Sequence, residues 1–354
     1  MRLGLNLGYW GAGQDADNLA LAVEADRLGY AVCWAAEAYG SDAVTVLTWV
    51  AAQTRRIDVG SAVLQIPART PAMTAMTAAT LDALSGGRFR LGLGVSGPQV
   101  SEGWHGVRFD HPLERTREYV EIVRRALRRE SVAYAGRHFT LPLPDGPGKA
   151  LKLTVHPVRA EIPLYLAAVG PKNLALTGEI ADGWLAIFFS PEHAALSLDP
   201  LRSARVAAGR ADAADSLAGF DVVAAVPVSP GPDVASAADP LRPYAALYVG
   251  GMGSRERNFY NALARRMGFD DAAQRIQDLY LDRRPREAAA AVPVDFIDAT
   301  SLIGPPERIR DRLAAYAEAG VTTLSVTPTA PDLEAKLGVL RMLAEAVDRA
   351  GVAS

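Results

Sequence analysis

The feature that most constrains this chain is an alternation of two patterns. Apolar runs with strand character occupy residues 3–7, 32–34, 57–63, 89–95, 162–169, 184–189, 221–228 and 323–326. Helical patterns lie between them. Tyr119, Ile122, Val123, Ala126 and Leu127 follow the spacing of one helix face, as do Ile309, Leu313, Tyr316 and Ala317. "DADNLALAVEADRLGY" opens on capping residues and ends at Gly29, and residues 42–53, 71–84, 171–181, 191–208 and 331–349 read the same way. Short runs that are apolar throughout suit strands covered on both faces of a parallel sheet. Eight such strands alternating with helices predict an α/β fold, a (β/α)8 TIM barrel, with a doubly wound sheet as the rival.

Length and composition agree with that reading. The 354 residues are 49% hydrophobic, enough for one large core. We expect one domain over residues 1–354 with insertions at about 131–160 and 230–300. In the first, "VAYAGRHFTLPLPDGPGKALKLTVHP" reads as a hairpin and loop; the second carries extra helices in "SRERNFYNALARRMGF" and "DAAQRIQDLYL". A net charge of −3 argues against a nucleic-acid surface. No apolar run reaches the roughly 18 residues of a membrane span. "MRLGLNLGYWGAG" is too short and glycine-rich for a signal peptide. Cys33 is the single cysteine, so no intramolecular disulfide forms, which fits a reducing compartment; a cytoplasmic location is the expectation.

Several stretches carry chemistry. "GLGVSG" matches G-x-G-x-x-G, but three strand–helix units precede it, and Pro98, Gly103 and Pro112 predict that no helix opens directly after the glycines. Its glycines are expected to let a ligand or another backbone approach. "AAVGPKN" ends a strand on Gly170-Pro171 and starts a helix whose N–H groups, with Lys172, could face an anion. A plain strand-to-helix turn is the other reading; a barrel favours the first, because this turn would lie on the C-terminal face. The small residues of "IDVGSAVLQIPARTP" permit a tight ligand approach or close helix packing. In "WAAEAYGSD", Glu37 ends a strand, placed either to orient a substrate or take a proton, or to cap and salt-bridge. Trp10, Tyr39 and Trp104 either wall a flat ligand or cap the core. Arg255 and Arg257 start a helix, on a solvated face or against an anionic tail. The five histidines show no metal-ligand spacing, and no metal is expected. Cys33 reads as inert core.

Taken together, "LGLGVSGPQVSEGWHGVRFDHPLERTREYVEIVRRAL", "IPLYLAAVGPKNLALTGEIADGWLAIFFSP" and "YVGGMGSRERNFYNALARRMGF" resemble the bacterial luciferase-like superfamily. The nearest likeness is to its branch of oxidoreductases that use the deazaflavin coenzyme F420. The resemblance implies a (β/α)8 barrel with the deazaflavin at its C-terminal mouth. It implies that Val169, Gly170 and Pro171 line the cofactor, with Lys172 and Asn173 as phosphate neighbours. It places a non-proline cis peptide at Ala62-Val63, after Ser61, under the ring. It also brings Ser96, Gly97, Gln99, Val100 and Glu102 to the cofactor.

One departure stands out. Several relatives carry an Asp-His pair where this chain has Glu37 and Ala38, so the imidazole that assists hydride transfer there is absent. The resemblance implies an F420-dependent oxidoreductase that transfers a hydride between the deazaflavin C5 and a small organic substrate. The substrate would enter near Trp10, Glu37, Tyr39, Gln99 and Trp104, with Glu37 in a proton or orienting role. An FMN-dependent monooxygenase and a non-catalytic F420-binding protein are the alternatives. A homodimer is expected from the resemblance, and no membrane or nucleic-acid partner.

Overall fold

In the computed structural model, which describes residues 1–8 and 15–349, eight parallel strands close into a barrel. They are β1 (Arg2–Asn6), β2 (Val32–Ala35), β3 (Asp58–Ser61), β4 (Phe89–Gly94), β5 (Leu164–Ala167), β6 (Gly183–Ile187), β7 (Asp221–Pro230) and β8 (Thr323–Pro328). Each pairs with the next, and β8 returns to β1, with Thr323 opposite Arg2 and Val326 opposite Leu5. The doubly wound rival is excluded by this closure. Each apolar run identified in the sequence supplies one barrel strand.

Helices α1 (Asp15–Leu28), α2 (Ala43–Gln53), α3 (Pro71–Leu84), α4 (Pro112–Leu127), α5 (Pro171–Ile180), α6 (Ala195–Ala207), α7 (Pro306–Glu318) and α8 (Leu333–Arg349) surround the strands. Their starts are written locally. Asp42 accepts from the Thr45 N–H at α2, and Thr70 from the Met73 N–H at α3. Proline occupies the first turn of α3, α4 and α5, where its missing N–H costs nothing. Cys33 is fully buried, and burial raises its thiol pKa, as inert core requires.

Side chains alternate across each strand, so every second residue points into the barrel. Lowest in the interior is a charged layer. Arg90 pairs with Asp58 at 2.7 Å and with Asp221 at 3.1 Å, and donates to the Tyr165 hydroxyl at 3.1 Å. Tyr165 in turn donates to Asp221 at 3.0 Å. Burial, with Asp221 beside it, raises the phenol's pKa and keeps it protonated. Above this layer Trp34 meets Tyr165 edge-on at 5.3 Å. Neighbouring strands make room for both rings: a Cβ on Gly60 would lie 2.4 Å from the Trp34 ring, and one on Gly183 would lie 2.3 Å from Tyr165. The next layer up is small: Ala36, Ala62, Gly94, Ala167 and Ala225. The barrel is therefore plugged at mid-height and open toward the C-terminal ends of its strands.

The first insertion holds the expected hairpin, Tyr134–Ala135 against Thr140–Leu141. The second is helical from Val234 to Thr300 and packs an apolar cluster of its own that includes Ala246, Leu263, Ile276 and Phe296. One expectation needs correction. A short helix, Pro98–Gly103, does open directly after the glycines of "GLGVSG", with Gly97 as its N-cap. Proline at the first helical position starts it; it had been read as a breaker. Among the described residues no helix is long and apolar enough to cross a membrane.

The complementarity of Gly60 and Trp34 is testable. Gly60→Ala should overpack the barrel interior and lower stability by about 1–3 kcal/mol, read as a shift of the urea midpoint.

Candidate active site

The opening above the small-residue layer is a cavity of about 1000 Å³ at the C-terminal ends of the strands. Such a volume lies at the upper end for small-molecule sites and leaves room for a cofactor and a substrate together. Its floor is apolar, formed by Ala62, Val63, Leu185, Val223 and Ala225. The Ala62-Val63 peptide bond is cis, where the resemblance placed it. The chain then continues as a two-residue strand, Leu64–Gln65, paired with β4.

The glycines of β4 serve this bend. A Cβ on Gly92 would lie 1.9 Å from the Ser61 carbonyl oxygen. Ser61 Oγ donates to the Gly92 carbonyl at 2.8 Å and accepts from the Gly92 N–H at 2.9 Å. Of the two expectations for these glycines, close approach of another backbone is what the structure shows at Gly92. Ser61 is therefore buried behind the floor and does not line the cavity.

One wall is built by the loops after β2, β3 and β4. Glu37 lies two residues beyond β2 and has both oxygens engaged. Oε1 accepts from the Gln65 N–H at 3.2 Å and forms an ion pair with Arg69, while Oε2 accepts from the Ala43 N–H at 3.2 Å. Gln65 Nε2 donates to the Ala38 carbonyl at 2.6 Å, and Ser96 Oγ donates to Gln65 Oε1 at 2.8 Å. Three loops are thus tied through one carboxylate and one amide. Ser96, Gly97, Gln99 and Val100 continue the wall, and Tyr39 stands at its rim.

The turn after β5 forms the opposite side. All three carbonyls leading into it are held in place. Ala167 O accepts from Asn173 Nδ2 at 3.4 Å, Ala168 O from Trp184 Nε1 at 2.9 Å, and Val169 O from Arg266 at 3.1 Å. Gly170 caps α5 without a side chain, and a Cβ there would meet no protein atom within 4 Å. Its φ of −80° is open to any residue, so backbone geometry does not demand glycine. Pro171 has no N–H, which leaves the Lys172 N–H at the helix start unpaired within α5. Val169, Gly170, Pro171, Lys172 and Asn173 all line the cavity.

The second insertion closes the remaining side with Tyr244, Tyr248, Met252, Phe259 and Tyr260. Sequence reasoning noted the helices here but missed the aromatic residues facing the barrel. Their density in "RPYAALYVGGMGSRERNFYNAL" was the available signal. Arg255 pairs with Asp278, and the helix begins at Phe259, two residues beyond the expected arginine start.

Two other expected residues fall away from the cavity. Glu102 accepts from the Phe109 N–H at 3.0 Å, and Trp104 is 67% exposed; neither lines the cavity. Both follow the short helix Pro98–Gly103 or lie within its last turn, which carries them outward. Trp10 lies outside the described residues.

Comparison with known proteins now has a geometry to meet. The sequence matches the luciferase-like monooxygenase family over residues 8–323. The chain belongs to that family. Among relatives, it is 46% identical over 332 residues to Rv3520c of Mycobacterium tuberculosis, provisionally named a coenzyme F420-dependent oxidoreductase, with 92% of this chain and 95% of that one covered. It is 30% identical over 314 residues to the 5,10-methylenetetrahydromethanopterin reductase of Archaeoglobus fulgidus, covering 87% and 88% of the two chains. Among solved structures, the coenzyme F420-dependent tetrahydromethanopterin reductase of Methanopyrus kandleri superposes with a TM-score of 0.80 at 25% identity, covering 98% of both chains.

Glu37 now has a structural duty that is measurable. Glu37→Ala should leave Arg69 with Asp42 as its remaining carboxylate partner and the Ala43 and Gln65 N–H groups without their acceptor, at a cost of about 1–3 kcal/mol of stability in urea denaturation. A residue used only for proton transfer would leave the midpoint unmoved.

Proposed function

We propose that this luciferase-like protein is an F420-dependent oxidoreductase acting on a small organic substrate in the barrel-mouth cavity. The observation that carries the reading is the Gly170 turn. A methyl group there would meet no protein atom, yet the turn is braced at three successive carbonyls and borders the cavity. Glycine at such a place is explained by a ligand that comes close. The Lys172 N–H and ammonium suit the phosphate of a ribityl chain. The apolar floor around Ala62 and Val63 suits a flat tricyclic ring. The residues present therefore fit the cofactor in the names of the relatives.

Bound F420 would supply two-electron hydride chemistry at its C5. The chain's own part is to hold and shield. Ala62, Val63 and Leu185 would offer the ring an apolar surface and keep water from it. Glu37, clamped by Arg69 and two amides, orients the wall formed by Gln65 and Ser96. None of the five histidines lines the cavity, so no imidazole is placed there to assist a proton transfer.

We also propose a homodimer through α2 and α3. Trp49 on α2 and Met73 and Met76 on the adjoining α3 are exposed large apolar side chains of the kind that partners cover.

Binding by fluorescence titration tests the cofactor. Oxidised F420 should bind at least about tenfold tighter than FMN, and Gly170→Ala should weaken F420 about tenfold while the melting temperature stays unchanged. Tighter binding of FMN would reassign the protein to flavin chemistry. For the dimer, light scattering should show twice the chain mass, and Trp49→Glu should halve it.

A further inference from the structure

Charge is nearly absent from the cavity. Among the described lining residues only Glu37 and Lys172 are charged. Glu37 is paired with Arg69, which it shares with Asp42. Lys172 belongs to the turn assigned above to the cofactor's phosphate. Residues 9–14, which follow β1, read "YWGAGQ" and add no charge at neutral pH. The substrate half thus offers no counter-ion to a phosphate or carboxylate.

It offers a stiff aromatic wall instead. Phe188, at the end of β6, stands behind it with ring centroids 5.7 Å from both Tyr244 and Tyr248. Tyr248 lies 4.7 Å from Tyr244 and 4.9 Å from Tyr260. Tyr248 is carried on a π-helical turn, Leu247–Gly251, of the kind often found at sites. That turn is fixed from below. Asn258 Nδ2 donates to the Tyr248 and Val249 carbonyls at 3.0 Å, and Asn261 Nδ2 donates to Val249 O at 3.1 Å. Tyr244 and Phe259 remain 38% and 41% exposed, so apolar ring surface faces the opening.

An anion brought against this wall would lose hydration with no cationic side chain there to offset the loss, and the negative faces of the rings would repel it. A neutral ring would instead bury area on both sides. We infer that the substrate is a neutral, largely apolar, ring-containing molecule that docks on the tyrosine wall, and that phosphorylated and carboxylated substrates are rejected. This inference rests on the F420 reading, which commits Lys172 to the cofactor.

The test is calorimetric titration of protein saturated with oxidised F420, using two probes that share a ring system. 2-Acetylnaphthalene is the neutral probe, and 6-acetyl-2-naphthoate is its carboxylate. The neutral ketone should bind at least about tenfold tighter. The Tyr244→Ala/Phe259→Ala double variant should weaken it at least about fivefold with F420 affinity unchanged, while Tyr244→Phe retains binding. Phe259→Lys should narrow the gap by raising carboxylate affinity. Equal or tighter binding of the carboxylate to the unaltered protein, or binding of neither probe, overturns the inference. The F420 titration that precedes these runs separates the two failures. Loss there removes the proposed function, whereas normal F420 binding with the wrong probe preference removes only the substrate class.

Discussion

The site depends on a stack of two aromatic rings on a charged floor. Arg90, Asp58 and Asp221 close the lower barrel, Tyr165 bonds to that layer, and Trp34 rests edge-on against Tyr165. The stack fills the interior to mid-height. Above it Ala36, Ala62, Gly94, Ala167 and Ala225 carry small side chains, so the barrel does not fill itself at that level and a cavity results. An open chamber thus follows from a decrease of side-chain size at that level of the barrel axis. The same gradient explains why Gly60 and Gly183 accompany Trp34 and Tyr165: large rings need small neighbours at the same level.

Above the stack, irregular backbone has to be held in place, and the chain does this with polar side chains aimed at carbonyls and amides. Glu37 and Gln65 join three loops on one side. Asn173, Trp184 and Arg266 secure the turn on the other. Asn258 and Asn261 fix the π-helical turn that presents Tyr248. Each group satisfies a backbone polar atom that regular structure leaves open, which is what allows loops to form a defined wall. Glu37 illustrates the change of view best. Seen in sequence it was placed either to act on a substrate or to cap and salt-bridge; in the fold its oxygens bond Arg69, Ala43 and Gln65.

Much of the fold was legible because parallel strands buried on both faces are apolar throughout and because caps and prolines mark helix starts. The Gly170 turn and the Ala62-Val63 bend were legible too, the latter only through family resemblance. Other parts were not. Glu102 and Trp104 follow Gly97 closely in sequence, but the helix Pro98–Gly103 carries them away from the cavity. Trp34 looked like one apolar residue among several in its strand, and nothing local distinguishes an inward ring from an outward one. The tyrosines of the second insertion lie more than 50 residues from the Gly170 turn, and their local density marks an aromatic surface without saying which way it faces.

The sequence by itself determined the alternation of strands and helices, the positions of the turns and the family. These depend on periodicity, capping and short motifs, all of which act within a few residues. Tertiary structure alone decided that Glu37 is clamped, that Gly92 admits the Ser61 carbonyl, and that an insertion supplies the aromatic wall. Those outcomes depend on which strands become neighbours when the barrel closes and on which face a distant segment lands. Barrel closure brings together residues far apart in the chain, and the pairings it creates are set by three-dimensional packing rather than by any local signal.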